Sequence, residues 1–337
     1  MKPTFTFLVS VAAVAVVTAL PAFGQSPELV EAAKQEGGKV VIYGSLESDT
    51  MAAITKAFQK ETGIEVNYWR ASATQVMDRA LSEYRAGKPL LDVVLTNTNP
   101  MRIMQQDKIF TRYRSPMEKD YPGDVVDSAL GPMYRRSIIG VVYNTSLIKP
   151  ADAPKSLEDL LKPQYQGKLV MSDPSTHTTS TQWAESLYKV MGKEKAETFL
   201  RDLAATKPIL VASFLPAARQ VSTGQTPIGI TYIKYVYIYG KEGAPLDYVR
   251  LPQMLGDGEY IDLGNKAPHP SAGKAFMDFF LGDEGIKIMA KEGEFVTRQG
   301  IYPPLPGADK IHFVQMDELI SKQYAVLKKE YEKLFVR

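Results

Sequence analysis

Four polar segments hold the residue types from which a binding or reacting site could be built: Gly44-Ser45-Leu46-Glu47, Arg70-Ala71-Ser72-Ala73-Thr74, Thr96-Asn97-Thr98, and Ser172 to Ser180 (SDPSTHTTS). The second and fourth lead into helical patterns. A helix N-terminus presents unpaired backbone N–H groups and a positive dipole end, which suit carboxylates, phosphates and sulfonates. Arg70 adds a charged fork fitted to bidentate anion contacts. Ser72 and Thr74 add hydroxyls from one side, and Ser175, Thr176, Thr178 and Thr179 offer the same from the other. Ser45, Glu47 and Asn97 complete the polar set. Ser and Thr are also ordinary N-caps, and for Ser72 alone that reading leads; the four segments together point to a ligand cleft. His177 stands alone in its loop, and contact with ligand and the capping of a turn are both open to it.

An aromatic stretch supplies the complementary surface. Tyr232, Tyr235, Tyr237 and Tyr239 fall within eight residues. Such a wall covers an apolar ligand face while its hydroxyls donate hydrogen bonds. Tyr232, nearest a strand end, is the first candidate, followed by Tyr235 and by Phe214 upstream. The alternation from Tyr235 to Tyr239 equally fits an amphipathic strand.

Signatures of catalysis are missing. The chain has no Cys, no G-x-S-x-G elbow, no Walker A loop and no G-x-G-x-x-G after a strand. Ser-x-x-Lys occurs at Ser146/Lys149, Ser186/Lys189 and Ser271/Lys274, without the companion motifs of acylating serine enzymes. The histidines are His177, His269 and His312, and no His-x-x-x-His pair suggests zinc. The expectation is a binding protein, not an enzyme, with no cofactor and no resident metal. An exported α/β hydrolase, the competing class, lacks a nucleophile and base that could share a cleft.

These segments need strands to present them. Lys39-Val40-Val41-Ile42-Tyr43, Ile64 to Trp69 and Leu90 to Thr96 read as strands. Met51 to Glu61 and Val76 to Tyr84 read as helices, with Gly63 ending the first, Ser72 capping the second and Pro100 opening a further one. This alternation implies a parallel sheet flanked by helices. The rhythm restarts with strands at Ser137 to Tyr143, Lys168 to Met171, Ile209-Val211 and Ile228-Tyr232, and helices at Ser180 to Met191 and Lys193 to Ala204. Phe276 to Phe280 and Ile286 to Met289 follow as helices, and Leu319 to Leu334 as a charged amphipathic helix across the outside. Ligands of open α/β sheets bind at the C-terminal ends of strands, where all four polar segments lie.

The N-terminus places this assembly. Lys2, the apolar run Leu8 to Leu20 and the small-x-small Ala22-Phe23-Gly24 form a secretory signal peptide over 1–24. The run is too short for a spanning helix, which takes roughly 20 apolar residues. With no Cys for a lipid anchor, export to a periplasm is expected. Net charge is +2 with acids and bases interspersed, which gives no basic face for nucleic acid.

Beside this reading stands a resemblance. VVIYGSLES, AFQKETGIEVNYWRAS, LDVVLTNTNP, SIIGVVYNTSLI, ITYIKYVYIYGKEGAP and AFMDFFLGDEGIKIMAKEGEF together resemble the family 1 extracellular solute-binding proteins of ABC transporters, close to the ferric-ion-binding branch. The resemblance implies a type II periplasmic-binding-protein fold: two α/β lobes, hinge strands between them, and closure over a small-molecule ligand. The strand and helix pattern itself puts the crossing near Arg136 and the return near Leu251, which gives residues 25–135 with 252–300 as one lobe, and 136–251 with 301–337 as the other with its C-terminal helix. An inner-membrane ABC permease with its ATPase is the implied partner, and a monomer is expected because a two-lobed binder must be free to hinge. Ferric relatives supply a His in the first loop, a Glu after the third strand and two adjacent Tyr in the second lobe. Ungapped matching puts those positions at Glu47, Asn97 and around Ile233-Lys234, with Tyr232 reachable through a small gap. Fe(III) demands anionic oxygen donors, so a small organic anion, a carboxylate or phosphonate, is favoured over iron.

Overall fold

The computed structural model describes residues 26–319 and 321–336; the signal peptide expected over 1–24 lies outside the described residues. The first half alternates as the apolar runs require: α1 (Pro27–Gln35), β1 (Lys39–Gly44), α2 (Ser48–Thr62), β2 (Glu65–Arg70), α3 (Ala73–Arg85), β3 (Val93–Asn97) and α4 (Thr98–Gln106). β1 pairs in parallel with both β2 and β3. All five residues of β3 are buried, as expected of a strand covered by helices on both faces. Gly63 ends α2 with a φ of 73°, in the left-handed region that a Cβ disfavours. Ser72 and Gln75 form a reciprocal capping box at α3. α4 starts at Thr98, ahead of the expected Pro100. Proline is tolerated in a first turn, where its missing N–H has no intrahelical partner to lose.

Short strands β4 (Phe110–Thr111), β5 (Val126–Asp127) and β6 (Gly131–Pro132) lead into the long β7 (Arg135–Asn144). Then come β8 (Leu169–Ser172), α5 (Thr178–Ser186), α6 (Tyr188–Met191), α7 (Lys193–Ala205), β9 (Ile209–Val211), α8 (Phe214–Ser222), β10 (Ile228–Tyr232), α9 (Tyr235–Gly240) and β11 (Leu246–Tyr248). The chain returns on β12 (Met254–Gly264) and finishes with α10 (Pro270–Leu281), α11 (Asp283–Lys291), β13 (Phe295–Val296), β14 (Phe313–Gln315) and α12 (Ser321–Phe335).

The main sheet runs β2-β1-β3-β12-β7-β10-β8-β9. Its centre is the antiparallel pair β7–β12, joined over residues 135–138 and 256–259. Beyond that overlap, β12 pairs with β3 and β7 with β10. The same two strands therefore belong to both halves. Each half has its own apolar core: Ile42, Phe58, Val93, Phe276 and Phe280 in one lobe, and Trp183, Phe199, Leu203 and Ile230 in the other.

One open alternative is decided and one local expectation is corrected. The tyrosine run is helical and not an amphipathic strand: Tyr235 to Gly240 form α9, and Tyr235 stacks on Tyr239, one turn away, with ring centroids 5.7 Å apart. The helix expected from Ser180 to Met191 begins at Thr178 and is divided at Leu187 into α5 and α6.

Candidate functional site

A pocket of about 330 Å³ of empty volume, partly open to solvent, lies where the two lobes face each other. Its lining comes from the ends of β1 (Ser45, Glu47), β2 (Arg70, Ser72, Ala73) and β3 (Asn97) on one side. The other side supplies His177 before α5, Ser213, Phe214 and Leu215 at the start of α8, and Tyr232 and Tyr235 around the end of β10. Arg135 and Glu259 close it from the paired long strands. Carboxyl ends of strands and helix N-termini converge here, the usual ligand position in open α/β sheets.

Of the residues singled out from sequence, Ser45, Glu47, Arg70, Ser72, Asn97, His177, Phe214, Tyr232 and Tyr235 line the pocket. Five do not. Thr74 and Thr178 meet across the cleft, the Thr178 amide donating to Thr74 Oγ1 at 3.2 Å. Ser175 turns its hydroxyl onto Asp173 at 2.7 Å. Thr176 is exposed, and Thr179 is buried outside the lining. Lobe contact takes up Thr74 and Thr178 and a local turn takes up Ser175, whereas Thr179 Oγ1 is buried without a hydrogen bond. Ser72 combines both settings, since it lines the pocket while engaged in the α3 capping box.

Behind the pocket lies an ionic cluster that sequence reasoning missed. Glu47 Oε2 accepts from Lys234 Nζ at 2.5 Å, and Glu47 Oε1 accepts from the Tyr235 hydroxyl at 2.7 Å. Lys234 also donates to Glu294 at 3.0 Å. Arg135 pairs with Glu259 at 2.6 Å and with Glu294. Tyr134 and Ser137 donate to the two oxygens of Glu259. Each of the five charged groups is at least nine-tenths buried, so each needs its partner to remain ionised. Lys234 and Arg135 together hold Glu47 well below the usual carboxylate range against its burial. The available signal was charge at the margins of apolar runs, Arg135 before SIIGVVY and Glu259 within MLGDGEYIDLG.

Polar atoms in the pocket wall remain without partners among the described residues. Arg70 is half-buried, its Nε has no hydrogen bond, and no carboxylate pairs with it. His177 Nδ1 is likewise buried and unpartnered, and Asn97 Nδ2 is buried with no close hydrogen bond, though it lies near enough to the Tyr232 hydroxyl to favour its ionised form slightly. Burial, reinforced by Lys328 and Arg70, pushes the His177 imidazole down to about 4, so it is neutral at pH 7. Phe214 bridges His177 and Tyr232, with centroids 5.4 and 4.5 Å away, as a continuous aromatic wall. Burial drives the Tyr232 and Tyr235 hydroxyls well above their ordinary pKa, helped by the Glu259 and Glu47 carboxylates. Both are neutral phenols here. Among the described residues no three His, Asp or Glu side chains are arranged to hold a metal ion. The carboxylates that do converge are engaged by Lys234 and Arg135.

Residues 39–293 match the family described as bacterial extracellular solute-binding protein. The Fe(3+)-binding periplasmic protein of Serratia marcescens is 24% identical over 291 residues, covering 80% of this chain and 81% of that protein. A probable ABC transporter periplasmic-binding protein, y4fP of Sinorhizobium fredii, is 27% identical over 181 residues, covering 53% of this chain and 46% of that one. Among solved structures, the periplasmic binding protein AfuA from Actinobacillus pleuropneumoniae with fructose-6-phosphate bound superposes with a TM-score of 0.74 at 20% identity, over 89% of this chain and 99% of that chain.

Proposed function

Since this chain belongs to the bacterial extracellular solute-binding proteins, we propose that it captures a small organic anion in the cleft between its lobes. It then delivers that solute to an inner-membrane ABC permease with its ATPase. The chain works as a monomer in the periplasm, reached through the signal peptide at its N-terminus. One observation carries the ligand class: Arg70 lines the pocket without a carboxylate partner, whereas Glu47, Arg135 and Glu259 are all engaged with one another or with Lys234 and Glu294. A guanidinium in this setting favours an anion that can accept its fork. Phe214, Tyr232 and the neutral His177 receive the apolar or uncharged part of the solute, and Asn97 donates to a neutral acceptor.

Iron, the cargo named for the Serratia protein, fits these residues poorly. Lys234 Nζ already lies within hydrogen-bonding distance of Glu47 and Glu294, where a cation would need those oxygens. Asn97 is neutral, and the Tyr235 hydroxyl already donates to Glu47 at 2.7 Å.

A thermal-shift series of the mature protein against small carboxylates, sulfonates, phosphonates and ferric citrate tests this reading. Ligand at about 100 times its dissociation constant adds about 2.7 kcal/mol to the folded state. Stabilisation by an organic anion that disappears in Arg70→Ala supports the assignment. Stabilisation by ferric citrate alone, with a visible tyrosinate band, overturns it.

A further inference from the structure

The charges around the pocket limit how much charge its solute can carry. Glu47, Glu259 and Glu294 face only two cations, Arg135 and Lys234, within one buried cluster. If all three carboxylates are ionised, the cluster carries one excess negative charge. If it retains one proton, it is neutral. Neither state offers a positive charge to a solute, and Glu47 and Glu259 themselves line the pocket wall. His177 adds no charge at neutral pH, and Asn97 adds only an amide. Arg70 is therefore the single cation of the lining that is free to pair with cargo, among the described residues.

We propose that the cargo is a monoanion bearing uncharged polar groups, and that dianions such as phosphate monoesters and dicarboxylates are rejected. This rests on the reading of Arg70 as the anion contact. A first negative charge meets the Arg70 fork. A second would be desolvated beside Glu47 and Glu259 with no second unpaired cation in the lining, which is costly in a low-dielectric site. Asn97 Nδ2, a buried donor without a hydrogen bond, is satisfied by a hydroxyl or carbonyl oxygen of the solute, and His177 Nδ1 takes a hydroxyl, which can donate or accept to suit either tautomer of the ring.

The test uses matched probes that differ in charge: lactate against malate, gluconate against fructose 6-phosphate, and 2-hydroxyethanesulfonate against 2-hydroxyethylphosphonate. Calorimetric titration of the whole mature protein at pH 6 and pH 8.5 gives the affinities. The phosphonate gains its second charge between these pH values while the sulfonate does not, so the sulfonate reports any titration of the cluster or His177. The expected result is at least a tenfold preference for the monoanion in each pair that binds. The phosphonate should weaken at least tenfold more than the sulfonate from pH 6 to pH 8.5. Arg70→Ala should lose binding, and Arg70→Lys should bind more weakly with the same preference. Dianions that bind as tightly as their partners, still dependent on Arg70, overturn the charge limit and leave the anion site standing. Absence of binding by every probe, or binding unaffected in Arg70→Ala, overturns both.

Discussion

Asp257 shows how a single buried carboxyl ties this protein's stability to pH. Its side chain is fully buried on β12, with Oδ1 accepting from Gln315 Nε2 at 3.0 Å and Oδ2 left without a partner. Burial, reinforced by the Glu259 charge, raises it from 3.8 to about 7, so the native state favours the protonated acid. Stability from this group is fully present below about pH 3.8 and is lost as pH rises through 7. A shift of about three units corresponds to roughly 4 kcal/mol at most. His177 acts in the opposite sense: its contribution is present above its unfolded pKa of 6.5 and is lost as pH falls toward about 4. Urea unfolding at pH 5 and pH 8 should show Asp257→Asn gaining on the parent at the higher pH, while the His177 contribution cancels in the comparison. Equal loss of stability with pH in both proteins would remove Asp257 as the cause. At this scale the sequence disclosed the residues that sit in hydroxyl-rich loops, Arg70, Asn97 and His177 among them. It did not disclose Arg135, Glu259 and Glu294, because their contacts join positions 124 and 159 apart in the chain and no local pattern marks the pairing.

At the level of elements, the crossing of β7 and β12 depends on small residues. A Cβ on Gly256 would lie 2.7 Å from the Ser137 carbonyl oxygen and 3.1 Å from Ile138 Cα, both backbone atoms of β7. A Cβ on Gly258 would instead meet the Met133 side chain, its Cε at 2.5 Å. Met can move aside, whereas a paired strand cannot without splaying. Gly256→Ala should therefore destabilise by about 1–3 kcal/mol and Gly258→Ala by clearly less, measured as urea midpoints; the reverse order would show that the crossing tolerates backbone displacement. The apolar runs Val40 to Tyr43, Val93 to Leu95 and Ile138 to Tyr143 were legible as strands because helices cover both faces of the sheet. β12 was not read as a strand, since MLGDGEYIDLG intersperses acids and glycines that ordinarily mark loops. Asp257, Glu259 and Asp262 are all buried there, placed by the strand's pairing on both edges. The tyrosine run stayed ambiguous for the opposite reason: a spacing of two over five residues fits a strand, and only the end of β10 pairing at Tyr232 leaves Tyr235 onward free to coil.

Across the whole molecule, the lobes are joined by the paired strands and by a few contacts that bridge the cleft. Glu47, at the end of β1, meets Lys234 and Tyr235, which follow β10. Thr74 meets Thr178, and Arg102 on α4 reaches the exposed Glu318 near the C-terminus. These contacts differ in weight. An exposed ion pair contributes about 0–1 kcal/mol, whereas removing one partner of a buried pair costs about 3–5 kcal/mol. In Lys234→Met, Glu47 and Glu294 lose their shared ammonium. Glu47 can regain water if the lobes swing apart about β7 and β12, so the penalty should appear as a shift toward an open form before it appears as unfolding. The expected result is a larger radius of gyration in small-angle scattering and a weaker thermal response to anions. Adding Glu47→Gln to Lys234→Met removes the stranded charge and should return the radius toward that of the parent. Glu318→Gln serves as the exposed control and should leave it unchanged. A Lys234→Met protein as compact as the parent would mean that the Glu47–Lys234 pair does not hold the lobes together, and that closure depends on the solute and the strand pair alone.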